Sequence, residues 1–256
     1  MSTRPGRRQR QTIVSEQPVT KRACRRIAVS GAGGLVGSAL VPHLRAAGYE
    51  VLRLVRRPPL DASDEIYWNP VRGELDLHGL SGIDAVVHLA GENIAAGRWT
   101  PSRKAAIRDS RVAATRLLCE GLARLPKPPA ALIAASAVGY YGDRGDEPLT
   151  EESGPGTGFL PELVRAWEAA TEPARRTGLR VVNLRTGLVL AREGGALARM
   201  LRPFRLFVGG PVGDGRQYWS WIARSDLVTA IEHLLRTEVS GPVNVTAPEP
   251  VRNGKF

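Results

Sequence analysis

The run Ile27-Ala28-Val29-Ser30-Gly31-Ala32-Gly33-Gly34-Leu35-Val36-Gly37 constrains this chain more than any other stretch. A short apolar segment is followed by glycines at three-residue intervals, Gly31, Gly34 and Gly37, and then by residues with helical periodicity. Gly31 lets the chain leave a strand through a conformation that a Cβ obstructs. Gly34 allows the backbone to approach a phosphate closely, and Gly37 stands where helix and strand must touch. Val36, Leu40, Leu44 and Ala47 recur at helical spacing, and Gly48 follows as a stop. A phosphate at such a turn would face N–H groups that a helix leaves unpaired at its start. The turn therefore predicts a pyrophosphate site, against the plain alternative of a tight strand-to-helix connection. The spacing is Gly-x-x-Gly-x-x-Gly, because position 36 is Val.

The formal charge of +11 invites a nucleic-acid reading, but its distribution argues otherwise. Residues 1 to 26 hold eight Arg or Lys against one acid, Glu16, which leaves 11 − 7 = +4 for the rest. A basic tail over residues 1–25, with Pro5, Gly6 and Pro18 and no apolar periodicity, is expected to stay unfolded. A targeting peptide, or an arm for nucleic acid or an anionic surface, are the other readings of that segment. At 256 residues the chain suits one large core, so residues 26–256 are expected to form one nucleotide-binding domain. Cys24 and Cys119 supply neither a disulfide framework nor a metal cluster, which fits a reducing cytoplasm. His43, His78 and His233 lack ligand spacing, and His88 reads as a packing residue at a strand end, so no metal is expected. No apolar run reaches the roughly 18 residues needed to span a bilayer, and no signal peptide opens the chain.

Past the first strand and helix, strands are predicted at Val51–Val55, Ile66–Trp68, Asp84–Ala90, Ala131–Ala135 and Arg180–Leu184. Helices are predicted from about Pro101 to Leu125 and from about Leu160 to Thr177. Such alternation predicts an α/β fold with a doubly wound, mostly parallel sheet. The remainder is more irregular: a Gly/Pro cluster at Gly209–Gly215, an aromatic strand at Tyr218–Ile222, a helix near Ser225–Arg236 and a last strand at Pro242–Thr246.

Several of these pieces together resemble the extended and atypical short-chain dehydrogenases/reductases, in particular the epimerase family proteins within the NAD-dependent epimerase/dehydratase family. The matching stretches are Gly31 to Gly37, Tyr67-Trp68-Asn69-Pro70, and Asp84 to Asn93 with its His-Leu-Ala-Gly-Glu-Asn core. Further ones are Arg98-Trp99, Ile107 to Arg111, Ser136 to Gly142, Arg185-Thr186-Gly187, and Gly213 to Gln217 through Asp226. The resemblance implies a Rossmann fold with a nicotinamide coenzyme at the carboxyl ends of the strands. It implies coenzyme contacts from Gly31, Gly33, Gly34, Leu35, Val36 and Gly37, from Leu89, Ala90, Gly91 and Glu92, and from Arg111 and Arg185. The second strand ends in Arg56-Arg57 where an NAD-preferring protein places an acid. Two guanidiniums there suit the 2′-phosphate of NADP, with two solvated arginines as the bland alternative. NADP is the expected coenzyme, ahead of NAD.

In this superfamily a Ser, a Tyr and a Lys move the proton that accompanies hydride transfer. Ser136 matches the serine, or makes only a turn hydrogen bond. Leu160 and Val164 fall on the Tyr and Lys positions, and neither can move a proton. Tyr140 and Tyr141 are the substitutes in reach, or plain packing residues. Asn93, Gln217 and Trp219 are expected on the substrate side, although Ala223 departs from the His common in relatives. The chain stops near Phe256, where relatives continue into a small helical region, so an open cleft with exposed apolar surface is expected. These features predict an NADP-binding oxidoreductase or epimerase-like protein for a small hydroxyl- or carbonyl-bearing compound such as a nucleotide sugar. The competing reading is a nucleotide-binding sensor that has lost turnover. Neither nucleic acid nor membrane is an expected partner, and the sequence gives no oligomeric state.

Overall fold

The computed structural model describes residues 25–256. The expected tail, apart from Arg25, and Cys24 lie outside the described residues. In chain order the glycine turn joins β1 (Arg26–Ser30) to α1 (Gly37–Ala46), which leads to β2 (Glu50–Val55), β3 (Glu65–Asn69), β4 (Glu74–Leu75) and β5 (Ala85–His88). The long α2 (Pro101–Ala123) precedes β6 (Ala131–Ala137), and α3 (Phe159–Ala169) with α4 (Glu172–Arg175) precedes β7 (Arg180–Thr186). There follow β8 (Leu188–Ala191), α5 (Gly195–Arg205), β9 (Tyr218–Trp219), β10 (Trp221–Ala223), α6 (Arg224–Arg236), β11 (Gly241–Val245) and β12 (Val251–Arg252).

Eight strands form the main sheet in the order β11-β7-β6-β5-β1-β2-β3-β4, all parallel except β4, which runs antiparallel to β3. The fold is α/β of Rossmann type. Alternate residues of its strands feed two cores. Ile27, Val29, Val87 and Ile133 pack with α1 and α6, whereas Ala28, Val86, Leu132 and Val181 pack with α2 and α4. Burial on both faces explains why these strands read as unbroken apolar runs, each large side chain contributing about 1.5–3 kcal/mol. From β1 the chain winds outward through β2 and β3; from β5 it winds the other way through β6 and β7. The reversal opens a crevice at the carboxyl ends of β1 and β5, the place where open α/β sheets bind ligands.

Two expectations need correction. The predicted helix Leu160–Thr177 is two helices. The chain breaks at Ala170-Thr171, where the Thr171 hydroxyl donates to the Glu168 carbonyl and Pro173, two residues on, has no N–H to continue the ladder. The aromatic strand Tyr218–Ile222 is likewise divided, because β9 pairs with β12 and β10 pairs with β8. Strand β8 and helix α5 occupy a stretch that carried no prediction. Between β2 and β3 the connection is nine residues, Arg56 to Asp64, with no helix, although parallel neighbours usually need a longer crossover.

Candidate functional site

Gly31 takes φ +70°, and a Cβ there would come within 2.8 Å of the Leu89 carbonyl carbon. A Cβ on Gly37 would overlap the Gly31 carbonyl oxygen, so this glycine seats the helix on the turn. Gly33, rather than Gly34, is the open position: nothing lies within 4 Å of its would-be Cβ, whereas that of Gly34 meets the Gly31 oxygen at 3.2 Å. At the start of α1 the N–H groups of Leu35, Val36 and Gly37 have no acceptor among the described residues, and Val36 offers no side-chain cap. A tight cradle with unspent donors at a helix start is complementary to a pyrophosphate.

Below the turn a buried network fixes its foundation. The Ser30 hydroxyl accepts the N–H groups of Leu89 (3.2 Å) and Ala90 (3.3 Å) and lies 2.6 Å from His88 Nδ1. Having accepted twice, it donates to Nδ1, which assigns the His88 proton to Nε2. That N–H donates to Thr115 Oγ1 at 3.0 Å, which also accepts from Trp167 Nε1 at 2.9 Å. Burial pushes the His88 pKa down to about 4, so the imidazole is neutral at physiological pH. The sequence-based view of His88 as a packing residue agrees with this arrangement.

The glycine turn, the carboxyl end of β2 and the loop after β5 enclose a cleft of about 1210 Å³. It gathers Gly31, Gly33, Gly34, Arg56, Arg57, Leu89, Ala90, Gly91 and Glu92 from the predicted set. At its rim the two arginines differ. Arg57 forks onto Glu65, its Nη1 donating to Oε2 (2.7 Å) and its Nη2 to Oε1 (2.6 Å). Arg56 makes no hydrogen bond or ion pair with the described residues. Arg53 also donates to Glu65 (3.0 Å) and pairs with Asp64, which Arg45 contacts in turn. The Arg57 fork and the Leu60 N–H hold the Glu65 carboxyl down at about 2. Arg45, Arg53 and Glu65 line the same cleft and were not singled out from the sequence. The one local signal was the charge alternation of Arg53 and Glu65, which the parallel register of β2 and β3 sets side by side.

The other predicted coenzyme contacts serve the walls rather than the lining. Leu35 packs beside Gly194 and Gly195. Arg111 donates to the carbonyls of Ile107 and Glu92 and lies over the Trp167 ring, so it holds the loop that carries Gly91 and Glu92. Desolvation lowers its pKa within the arginine range. Glu92 itself pairs with Arg103 at 2.9 Å. Arg185 stands apart from the cleft, its side chain only 4% exposed and paired through both Nε and Nη2 with Glu168. Burial works against its charge, but Glu168 and the Tyr141 hydroxyl outweigh that and raise its pKa.

Around Arg185 the predicted catalytic residues are tied to one another. Ser136 Oγ donates to Glu168 Oε1 at 2.6 Å. Tyr141 donates to Asn244 Oδ1 (2.6 Å) and accepts from Arg185 (3.0 Å), while the Tyr140 ring lies 3.5 Å from the Arg185 guanidinium carbon. Glu168 was missed, although its place after Trp167 on the helix following β6 puts it opposite the serine. On the expected substrate side, Asn93 accepts the Ala95 N–H, Gln217 donates to the Val212 carbonyl, and Trp219 packs at a tilt against Phe256, their ring centres 5.1 Å apart. Nearby, Phe204, Leu206, Val208 and above all Phe207 (97%) are exposed. Among the described residues no helix is long and apolar enough to cross a membrane.

A family model described as the NAD dependent epimerase/dehydratase family matches residues 27–246. An epimerase family protein of Mycobacterium bovis is 48% identical over 231 residues, covering 90% of this chain and 76% of that protein. The crystal structure of the human epimerase family protein SDR39U1 with NADPH superposes with a TM-score of 0.79 at 35% identity, covering 90% of this chain and 76% of that one. A nucleoside-diphosphate sugar epimerase from Corynebacterium glutamicum gives a TM-score of 0.78 at 43% identity; this chain, 90% covered, spans only 48% of its length. A helix-capped glycine cradle at the sheet's switch point, together with likeness of this extent, makes the chain a member of the NAD dependent epimerase/dehydratase family.

Proposed function

We propose that the chain binds NADP in preference to NAD and serves hydride transfer on a small hydroxyl- or carbonyl-bearing substrate. The observation that carries the coenzyme choice is Arg56, a guanidinium without a partner among the described residues, just past the end of β2 on the rim of the cleft that the glycine turn opens. The residues fit the coenzyme: the N–H groups of Leu35, Val36 and Gly37 would hold its pyrophosphate, and Arg56 its 2′-phosphate. The human relative solved with NADPH supports this reading, and the Corynebacterium epimerase supports a nucleotide sugar as substrate class. Once bound, the coenzyme supplies or accepts a hydride at its nicotinamide ring. Arg111 and Arg103 fix the Gly91–Asn93 loop, whose Gly91 and Glu92 line the cleft.

Proton transfer is the weaker half. Leu160 and Val164 replace the Tyr and Lys, and the hydroxyls of Ser136 and Tyr141 are engaged inside the protein. Losing a positioned acid or base costs about 10²- to 10⁴-fold in rate. That specific observation favours, as second reading, a coenzyme-binding protein without turnover. Titrating the protein with NADPH and NADH, then following coenzyme oxidation over a panel of carbonyl compounds, separates the two. Arg56→Glu is expected to weaken NADPH about tenfold to a hundredfold and leave NADH unchanged. An unaltered NADPH/NADH affinity ratio would refute the assignment.

A further inference from the structure

Glu65 is a carboxylate on the cleft wall, yet its side chain is only 1% exposed because Arg57 lies across it. The Arg57 fork takes both carboxylate oxygens, and its Nη1 also donates to the Pro58 carbonyl at 3.0 Å. Arg57 is thus committed to the protein, whereas all the donors of Arg56 remain available. At this rim Arg45, Arg53, Arg56 and Arg57 stand against Asp64 and Glu65, a balance of 4 − 2 = +2 that matches a phosphate monoester dianion.

We propose that Arg57 is a charge mask over Glu65 and that this pair, rather than two phosphate-binding arginines, sets the coenzyme preference. With the mask in place, the rim offers Arg56 to a 2′-phosphate over a neutralised floor. With the mask removed, Glu65 loses the fork over both its oxygens, keeps only the bonds from Arg53 and the Leu60 N–H, and is uncovered at the same edge. It then repels the phosphate and accepts hydrogen bonds from the hydroxyls of an unphosphorylated ribose, as an acid at this edge does in NAD-preferring sheets. Glu65 and Arg57 are positioning residues in this scheme, and the inference rests on the coenzyme reading above.

The test is a double-mutant cycle read by direct binding of NADPH and NADH to the whole chain, using wild type, Arg57→Gln, Glu65→Gln and the double variant. Arg57→Gln is expected to weaken NADPH about tenfold while NADH binds as well or better; Glu65→Gln alone stays within about threefold of wild type for NADPH. The double variant recovers NADPH to within about threefold of wild type, because no carboxylate is left to mask. Arg57→Lys keeps the charge and is expected to keep the preference. NADH binding reports in each variant that the cradle is folded, and the lysine variant provides the readout if the glutamine variant does not fold. A double variant as weak for NADPH as Arg57→Gln overturns the proposal, since Arg57 would then grip the phosphate itself. Glu65→Gln as damaging as Arg57→Gln overturns it as well. A wild-type chain that binds neither coenzyme brings down the underlying coenzyme reading too, which distinguishes the two failures.

Discussion

The coenzyme edge and the substrate side are built from the same sheet, but they spend their polar groups differently. At the glycine turn the N–H groups of Leu35, Val36 and Gly37 have no acceptor among the described residues, and the Arg56 guanidinium, likewise without a partner among them, lines the cleft. Beyond the end of β6 the groups that would do chemistry are absorbed by their neighbours: Ser136 and Arg185 by Glu168, Tyr141 by Asn244. Unspent polar groups at a surface cleft are the mark of a ligand that completes them, and saturated ones in a buried cluster are the mark of a strut. The contrast teaches that binding and catalysis are separable here: one edge is prepared for a guest, and the other is braced.

The comparison breaks most visibly at Arg185. If the cluster is a strut, Arg185→Met leaves the partly buried Glu168 carboxylate with only the Ser136 hydroxyl and costs about 3–5 kcal/mol in urea unfolding, while the folded fraction keeps its NADPH affinity. A loss below about 1 kcal/mol would mean that the pair is not structural. The next largest effect is one of pH. The folded-state pKa of His88 lies below its unfolded value, so the unfolded chain takes up the proton first and stability falls as pH drops from about 6.5 to about 4. The fall is expected to approach about 3 kcal/mol, measured by denaturant titrations across that range, and His88→Gln should flatten it. An equally steep profile in the variant would reassign the effect to another group. Gly37→Ala, whose Cβ overlaps the Gly31 carbonyl, is expected to cost about 1–3 kcal/mol and to abolish measurable coenzyme binding by calorimetry. The smallest effect sharpens the contrast: Tyr140→Phe should leave stability within about 0.5 kcal/mol, because the ring stays over Arg185 and the hydroxyl has no partner among the described residues. A marked loss of turnover in that variant, with binding intact, would instead make Tyr140 the proton carrier.

What could be read from the chain follows how local each signal is. Gly37 announces its turn because the carbonyl that excludes a Cβ there lies six residues back, and Gly31 through its own φ of +70°, although the Leu89 backbone that also crowds it is distant in sequence; Gly48, at φ +88°, ends α1 as its position implied. The parallel strands were legible because burial on two faces leaves no polar alternation to confuse. Glu65 was not, since its meaning depends on a loop that folds Arg57 back eight residues along the chain and on a strand register that brings Arg53 beside it. Nor could the aromatic run at Tyr218–Ile222 disclose that its two halves join different sheets, because partner strands are chosen by the tertiary fold. Helix α5 was missed although Leu197, Met200, Leu201 and Phe204 recur at helical spacing; Gly194-Gly195 at its start and Pro203 within it obscure the pattern.

The helix-free link from β2 to β3 carries a consequence for how this protein can change. Both arginines sit at its beginning, and the acid that one of them covers opens the next strand, outside the two apolar cores. If the proposed mask sets the coenzyme preference, discrimination rests on one short segment at the sheet's edge, where a single replacement would retune it and the scaffold beneath would have no need to respond.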